Sequence, residues 1–193
     1  MDRATIDAYD ADAIAFASDW HAQPQPADLH AIIRRFFGKG LTADIGCGSG
    51  RDVAWLNADG YEAVGYDASL SMVAEARRRH HGCDFRFAAL PALEVIAADT
   101  FDNVLCETVI MHLPVELVSA AVGRLTAIIR PGGTLCLGWR VFDADSRDGS
   151  GRLYSAIDAD LVRDTLRAAT LLIDEEVTSA SSGNVIHRIV ARK

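Results

Sequence analysis

The fold of this 193-residue chain is decided by the stretch Asp44-Ile45-Gly46-Cys47-Gly48-Ser49-Gly50. It closes an apolar run, Leu41 to Ile45, which is typical of a short buried strand. It also precedes a helical pattern that extends from Arg51 to Ala58. Glycines at such a turn let backbone N–H groups approach a ligand closely at the positive end of a helix. The stretch therefore predicts a ligand-binding loop between the first strand of a sheet and the helix that follows.

A second acidic residue stands where the next strand ends. The strand predicted over Tyr61 to Tyr66 is followed by Asp67, which comes 21 residues after Gly46. At this spacing a carboxylate can accept hydrogen bonds from the hydroxyls of a ribose. Ser69 then provides a side-chain oxygen that can cap the helix behind it.

Strand and helix patterns continue to alternate along the rest of the chain, which predicts a mainly parallel sheet covered by helices on both faces. A helix is predicted from Pro114 to Ile129. The turn-rich segment between the last two strands predicts that they form an antiparallel hairpin. The other predicted strands are Cys83 to Phe87, Phe101 to Val109, Thr134 to Arg140, Leu171 to Val177 and Val185 to Ala191.

The first forty residues have a different character from the core predicted over 41–193, and we expect a single domain with a helical lid. Ala11 to Trp20 is a helical pattern that the prolines of Gln23 to Pro26 interrupt. Asp28 can then cap a helix that reaches Phe37. The polar loop 143–152 follows the fifth strand, so we expect it at the ligand-binding edge of the sheet.

Composition excludes several classes of function. The chain carries a formal charge of −8 and is 50% hydrophobic, so we expect an ordered protein and not a nucleic-acid-binding one. The four cysteines are far apart and predict neither a metal site nor a disulfide framework, as suits a reducing compartment. No apolar run is long enough to span a membrane, so we expect a cytoplasmic protein with a small-molecule partner.

The glycine loop alone does not choose between cofactors. A dinucleotide-binding loop usually has the pattern GxGxxG, whereas here the third glycine comes one place early and Arg51 stands where that pattern has glycine. The carboxylate of Asp44 would repel a pyrophosphate but could orient an ammonium group. These differences favour a nucleoside with an amino-acid tail over a dinucleotide.

The ordered motifs together resemble the class I S-adenosylmethionine-dependent methyltransferases. The loop matches the first motif of that family, and Gly65 to Ser69 matches the second, whose acidic residue holds the ribose hydroxyls. Further matches are Leu90-Pro91, Phe101 to Val104, His112 to Pro114 and Arg130 to Thr134, in the family's order. The resemblance implies a three-layer Rossmann-like sandwich with a mostly parallel seven-stranded sheet. In that fold the last strand inserts antiparallel beside the fifth.

The resemblance also implies a set of cofactor-binding residues. Many members have an acidic residue after the third strand that meets the adenine amino group, but the corresponding stretch, Arg86 to Leu90, has none. We therefore expect the adenine to rest on apolar groups and backbone. The residues expected to bind the cofactor are Asp44, Gly46, Cys47, Gly48, Gly50, Asp67, Ala68, Ala89, Leu90 and Glu107.

Two residues are candidates for chemistry on the acceptor. His112 follows the fourth strand, and an imidazole there can take a proton from a hydroxyl or amine nucleophile. Arg140 ends the fifth strand and could hold a substrate carboxylate. Tyr9 and Trp20 belong to the lid and could either pack on the sheet or touch the ligand.

The sequence thus predicts a methyltransferase that uses S-adenosylmethionine, acts on a small molecule and releases S-adenosylhomocysteine. Three alternatives stay open: a cofactor-binding sensor or inactive partner subunit, a nicotinamide-dependent oxidoreductase, and a methyltransferase acting on RNA or protein. The acidity of the chain argues against the last of these, and the placement of the third glycine against the oxidoreductase. The acceptor atom and the oligomeric state are not predicted.

Overall fold

The computed structural model covers Met1 to Lys193 and is built around one seven-stranded sheet. Its strands, in spatial order, are β3, β2, β1, β4, β5, β9 and β8. All neighbours pair in parallel except β9, which is antiparallel to both β5 and β8. The predicted fold class is confirmed, including the antiparallel last strand. The strands are β1 Leu41–Ile45, β2 Glu62–Asp67, β3 Asp84–Phe87, β4 Phe101–Glu107, β5 Ile129–Arg140, β8 Thr170–Thr178 and β9 Val185–Arg192.

Helices cover both faces of this sheet. One apolar cluster packs α6 and α7 on β4 and β5, and a second packs α3, α4 and α5 on the opposite face. Two single-turn 3₁₀ helices, Ile110–His112 and Val115–Leu117, follow β4. None of the helices is long and apolar enough to cross a membrane. The α-helices are α1 Arg3–Ala11, α2 Ala13–Ala22, α3 Ala27–Phe36, α4 Arg51–Ala58, α5 Leu70–Arg79, α6 Val118–Ala127 and α7 Ala159–Thr165.

The start of α3 differs from the prediction. Pro26 occupies the N-cap position without a side-chain hydrogen bond, and the helix begins at Ala27. Asp28 is therefore inside the first turn and does not cap the helix. Its carboxylate accepts a hydrogen bond from Arg188 Nη1 at 3.0 Å. Asp28, which the local sequence predicted as a helix cap, is therefore paired with an arginine near the C-terminal end of the chain.

The segment after β4 also differs from the prediction of one long helix. Instead, the 3₁₀ turn at Val115–Leu117 leads into α6, which ends at Ala127. The strand β5 begins earlier than predicted, because Ile129 already pairs with Phe101.

The polar loop 143–152 lies beside the lid. Two-residue strands β6 Ser146–Arg147 and β7 Leu153–Tyr154 pair there as a small antiparallel ribbon. Arg147 donates to the Asp2 carboxylate at 2.8 and 2.9 Å. The Leu153 amide donates to Thr5 Oγ1 at 2.8 Å. The loop therefore fastens the first helix to the end of the sheet.

Candidate functional site

A deep cleft opens at the carboxyl ends of the central strands, where ligands bind in open α/β sheets. It holds about 1270 Å³ of empty space, counting its open mouth. The lid helices, the glycine loop and the β8–β9 turn form its walls. Lining residues used below are Tyr9, Trp20, Gly46, Cys47, Gly48, Arg51, Asp67, Ala68, Ala88, Leu90, Glu107, His112, Arg140, Ser181 and Arg188.

The loop after β1 needs glycine for two reasons. Gly46 and Gly48 have φ angles of 79° and 52°, in the left-handed region that side chains disfavour. There is also no room for a side chain, since a Cβ on Gly46 would collide with Val109. A Cβ on Gly48 would lie 2.7 Å from Trp20 Cζ3. The loop backbone is thus packed closely between the sheet and the lid.

Asp67 at the end of β2 is tied to the same loop. One carboxylate oxygen accepts from the Gly48 amide at 2.8 Å, and the other accepts from the Ser69 amide at 2.8 Å. Burial raises the pKa of this carboxyl, against the effect of the amide hydrogen bonds. Each oxygen keeps a second acceptor site on a side chain that lines the cleft. Two adjacent acceptors of this kind suit a pair of neighbouring hydroxyls.

Two residues expected to bind the cofactor do not line the cleft. Asp44 is 4% exposed within β1, and burial together with the charges of Asp52 and Asp67 raises its carboxyl pKa well above the usual range. Gly50 precedes α4 with a φ of 80°, and a Cβ there would meet the Phe85 ring. The structure thus places both behind the wall of the cleft.

The stretch after β3 lines the cleft with a different pair of residues from the one expected. Ala88 and Leu90 are lining residues, whereas Ala89 is not. In extended chain, residues two apart share a face, so 88 and 90 point the same way and 89 points away. Ala68 lines the cleft beside Asp67, as expected from the motif.

His112 ends a 3₁₀ turn after β4 and is 3% exposed. Its Nδ1 lies 2.6 Å from the Leu153 carbonyl oxygen, which can only accept, so Nδ1 carries the proton. Nε2 then accepts from the Tyr9 hydroxyl at 3.1 Å. Burial lowers the pKa of His112 to about 4, so the ring is neutral at physiological pH. A proton from a ligand would reach Nε2 only if the Tyr9 hydroxyl relays it or moves aside.

Tyr9 brings the lid into this network. Burial raises its hydroxyl pKa to about 12, and Arg152 Nη1 donates to its oxygen at 3.2 Å. The Tyr9 hydroxyl is therefore protonated and donates to His112. The sequence left Tyr9 open between packing and ligand contact; in the structure its ring packs against Phe16 and Trp20, and the residue also lines the cleft.

Glu107 ends β4 and meets a residue that the sequence reasoning missed. Arg188 of β9 donates from Nη2 to Glu107 Oε1 at 2.5 Å. Burial raises the pKa of Glu107, and the charge of Arg188 opposes that rise. The available signal was an arginine in the run Val185 to Val190, which is apolar apart from Arg188 and His187, but the partner of Arg188 depends on the strand order.

Arg140 lines the cleft at the end of β5, as expected. Its Nε is buried without a hydrogen-bond partner, so the guanidinium has a free donor. At the opposite wall, Arg51 donates to the Trp20 carbonyl at 3.0 Å and to Ser181 at 3.4 Å. Arg51 thereby links the lid to the β8–β9 turn, a contact that the sequence did not predict.

Comparison with known proteins agrees with this architecture. Residues 43–133 match the family described as a methyltransferase domain. That match spans the glycine loop, Asp67 and the start of β5, on a sheet with the strand order given above. This chain carries a methyltransferase domain of the class I S-adenosylmethionine-dependent type.

Named relatives of this chain come from bacteria. It is 33% identical over 108 residues to a ubiquinone biosynthesis O-methyltransferase from Bradyrhizobium sp. (strain ORS 278), covering 51% of this chain and 41% of that relative. It is 30% identical over 140 residues to a malonyl-[acyl-carrier protein] O-methyltransferase from Enterobacter lignolyticus (strain SCF1), covering 72% and 52%. The chain thus spans about half or less of these relatives' length.

A solved structure covers nearly the whole chain. Magnesium protoporphyrin IX methyltransferase from Synechocystis PCC 6803, solved with S-adenosylhomocysteine bound, superimposes with a TM-score of 0.74 over 97% of each chain. The two sequences are 18% identical, so this likeness bears on the fold of this chain and not on its substrate.

Proposed function

We propose that this protein binds S-adenosylmethionine in the cleft and transfers its methyl group to a small-molecule acceptor, releasing S-adenosylhomocysteine. The observation that carries the proposal is Asp67, whose two carboxylate oxygens are held by the amides of Gly48 and Ser69 while the side chain lines the cleft. The residues present fit the nucleoside, since paired acceptors suit its ribose hydroxyls and the glycines allow close backbone approach.

The remaining cofactor contacts follow from the lining. Ala68, Ala88 and Leu90 would flank the adenine with small apolar groups. Gly46, Cys47 and Gly48 would face the ribose and the amino-acid tail. Asp44 and Gly50 would act indirectly, by supporting the strand and turn that shape this loop.

The acceptor would bind at the ends of β4 and β5, under the lid. Arg140 offers a free buried donor for a carboxylate or another anionic group of the acceptor. The charge of −8 and a cleft covered by helices favour a small molecule over a nucleic acid. The relatives named O-methyltransferases support an oxygen acceptor.

The cofactor would supply an activated methyl group bound to a sulfonium. The protein would then hold the acceptor in line with that methyl carbon, and such positioning can supply about 7–11 kcal/mol of the barrier reduction. His112 is neutral and could take a proton through Tyr9, whose hydroxyl bonds to Nε2. The imidazole would thus receive the proton through the Tyr9 hydroxyl, without contacting the acceptor directly.

Asp67→Ala tests the cofactor site. We expect wild-type protein to bind S-adenosylmethionine and not NAD in calorimetric titration, and the variant to bind at least tenfold more weakly because charge-assisted hydrogen bonds are lost. Asp143→Ala, at an exposed position outside the cleft, is the matched control and should bind like wild type. Saturable binding of NAD with none of S-adenosylmethionine would contradict the proposal.

A second measurement separates an enzyme from a sensor or inactive subunit. Labelled methyl groups from the donor should appear in small molecules when the protein is incubated with a metabolite extract. Tight donor binding with no transfer to any fraction would favour the sensor. Mild base then identifies a carboxylate acceptor, because it releases the label from a methyl ester and leaves methyl ethers and N-methyl groups intact.

A further inference from the structure

Three residues stand side by side across the sheet at the base of the cleft. In the strand register, Glu107 of β4 lies opposite Gly138 of β5, and Gly138 lies opposite Arg188 of β9. Directly opposite residues on neighbouring strands point to the same face. The middle position has no side chain, so the side chains of Glu107 and Arg188 meet above it. A Cβ on Gly138 would collide with Glu107 Oε2, which explains why the position is glycine.

The pair is held rigidly. Arg188 is 1% exposed and is bound on two sides, to Glu107 Oε1 at 2.5 Å and to Asp28 Oδ2 at 3.0 Å. Asp28 reaches it from α3 and Glu107 from β4, so two separate elements fix the position of one guanidinium. The Glu107 carboxylate is thereby fixed through its Oε1 atom.

The second oxygen of Glu107 has no partner. Oε2 is buried and accepts no hydrogen bond, although the residue lines the cleft. An unsatisfied buried acceptor is costly, and more so when it is charged. Such an atom in a cleft is explained most simply by a donor that arrives with a ligand.

We propose that Glu107 Oε2 receives the proton-bearing nucleophile of the methyl acceptor, an O–H or N–H group, and that Arg188 and Gly138 position this oxygen. The inference rests on the proposed function, and it gives Glu107 a place on the acceptor, whereas the sequence placed it on the cofactor. Asp67 and Glu107 belong to β2 and β4, which are two strand spacings or about 10 Å apart. Arg188 draws the carboxylate further toward β9, away from the ribose end.

With Glu107 as the proton acceptor, the methyl transfer balances in atoms and charge. The acceptor's oxygen or nitrogen forms a bond to the methyl carbon while the S–CH₃ bond breaks, and its electron pair stays on sulfur as a neutral thioether. The proton leaves the nucleophile for Glu107 Oε2. A positive sulfonium and a carboxylate become a thioether and a carboxylic acid, so charge is conserved and no further reactant is needed.

The test uses two product-like ligands that differ only at the reacting position. S-adenosylhomocysteine carries a thioether there, and sinefungin carries an amine-bearing carbon where the donor has its methylsulfonium. If Oε2 lies at the transferring methyl group, wild-type protein should bind sinefungin about tenfold or more tightly than S-adenosylhomocysteine. Glu107→Gln should remove that preference while its Kd for S-adenosylhomocysteine stays within about twofold of wild type. Glu94→Gln, at an exposed position outside the cleft, is the matched control.

Two results with these ligands would overturn the inference, and a third would overturn the proposed function. Equal weakening of both ligands by Glu107→Gln would mean that Glu107 holds the methionine ammonium common to them, and would overturn the inference. A wild-type protein without preference would also overturn it. A wild-type protein that binds neither ligand would overturn the proposed function itself.

Gly138→Ala and Arg188→Lys test the positioning. The first moves Oε2 by steric contact, and the second keeps the cation but removes the fork that binds two carboxylates. Both should lower the preference for sinefungin by severalfold without changing the Kd for S-adenosylhomocysteine. An unchanged preference in both variants would remove Gly138 and Arg188 from this role.

Discussion

His112 illustrates how burial, more than residue type, sets the chemistry of a side chain. The Leu153 carbonyl fixes the proton on Nδ1, and the Tyr9 hydroxyl occupies Nε2. Because the folded protein has no space to solvate an imidazolium there, the pKa falls from 6.5 to about 4. The base that the sequence predicted is therefore a buried neutral ring whose Nε2 is covered by the Tyr9 hydroxyl.

This burial predicts a pH-dependent stability. Unfolded His112 gains a proton below about pH 6.5, whereas folded His112 gains one only near pH 4, so stability falls as pH drops through that window. The expected loss from this residue is about 3 kcal/mol. Denaturant unfolding at pH 7 and pH 4 should show a smaller decline in His112→Asn than in wild type. The exposed His81→Asn should decline like wild type, and an identical decline in His112→Asn would refute the assignment.

Individual elements were predictable to different degrees, and the cause is the range of their contacts. The bounds of β1 and α4 agree with the sequence pattern because glycines and local apolar periodicity define both. The start of β5 at Ile129 was not predicted, because it depends on pairing with Phe101. Likewise Asp28 looked like a local cap until β9 supplied Arg188. Contacts across the sheet decide the start of β5 and the role of Asp28, and local sequence patterns do not show such contacts.

The lid elements α1 and α2 depend on one such contact. Arg152 sits 3.2 Å from the Tyr9 hydroxyl and 4.5 Å from the centre of the Phe16 ring, and it is anchored by Asp148 at 2.6 Å. Arg152→Ala should raise amide hydrogen exchange in α1 and α2 severalfold and leave β1, β4 and β5 unchanged. The exposed Arg167→Ala, which removes the same side chain from the turn after α7, should leave exchange as it is. Uniform acceleration throughout the sheet would show that Arg152 supports global stability instead.

At the scale of the whole molecule, the fold class could be predicted because several ordered motifs agree on it. The glycine loop, Asp67 and the closing hairpin each predict little alone, but their sequence order is consistent with one sheet topology. The strand topology alone does not predict which side chains contact each other across the sheet. Ala88 in place of Ala89, and Arg188 beside Glu107, follow from register and pleat once the strands are assembled.

The cleft joins the lid, the loop and the hairpin, so ligand binding should stabilise the molecule as a unit. A ligand that binds only folded protein adds about 2.7 kcal/mol at a concentration of 100 times its Kd. For a chain of this length, that should raise the Tm by about 5–10 °C. S-adenosylhomocysteine should produce this shift in calorimetry, whereas NAD should produce none. In Asp67→Ala the shift should be about half if affinity falls tenfold, because the added free energy grows with the logarithm of occupancy. A full shift in that variant would mean that the ligand stabilises the fold without using the carboxylate at the end of β2.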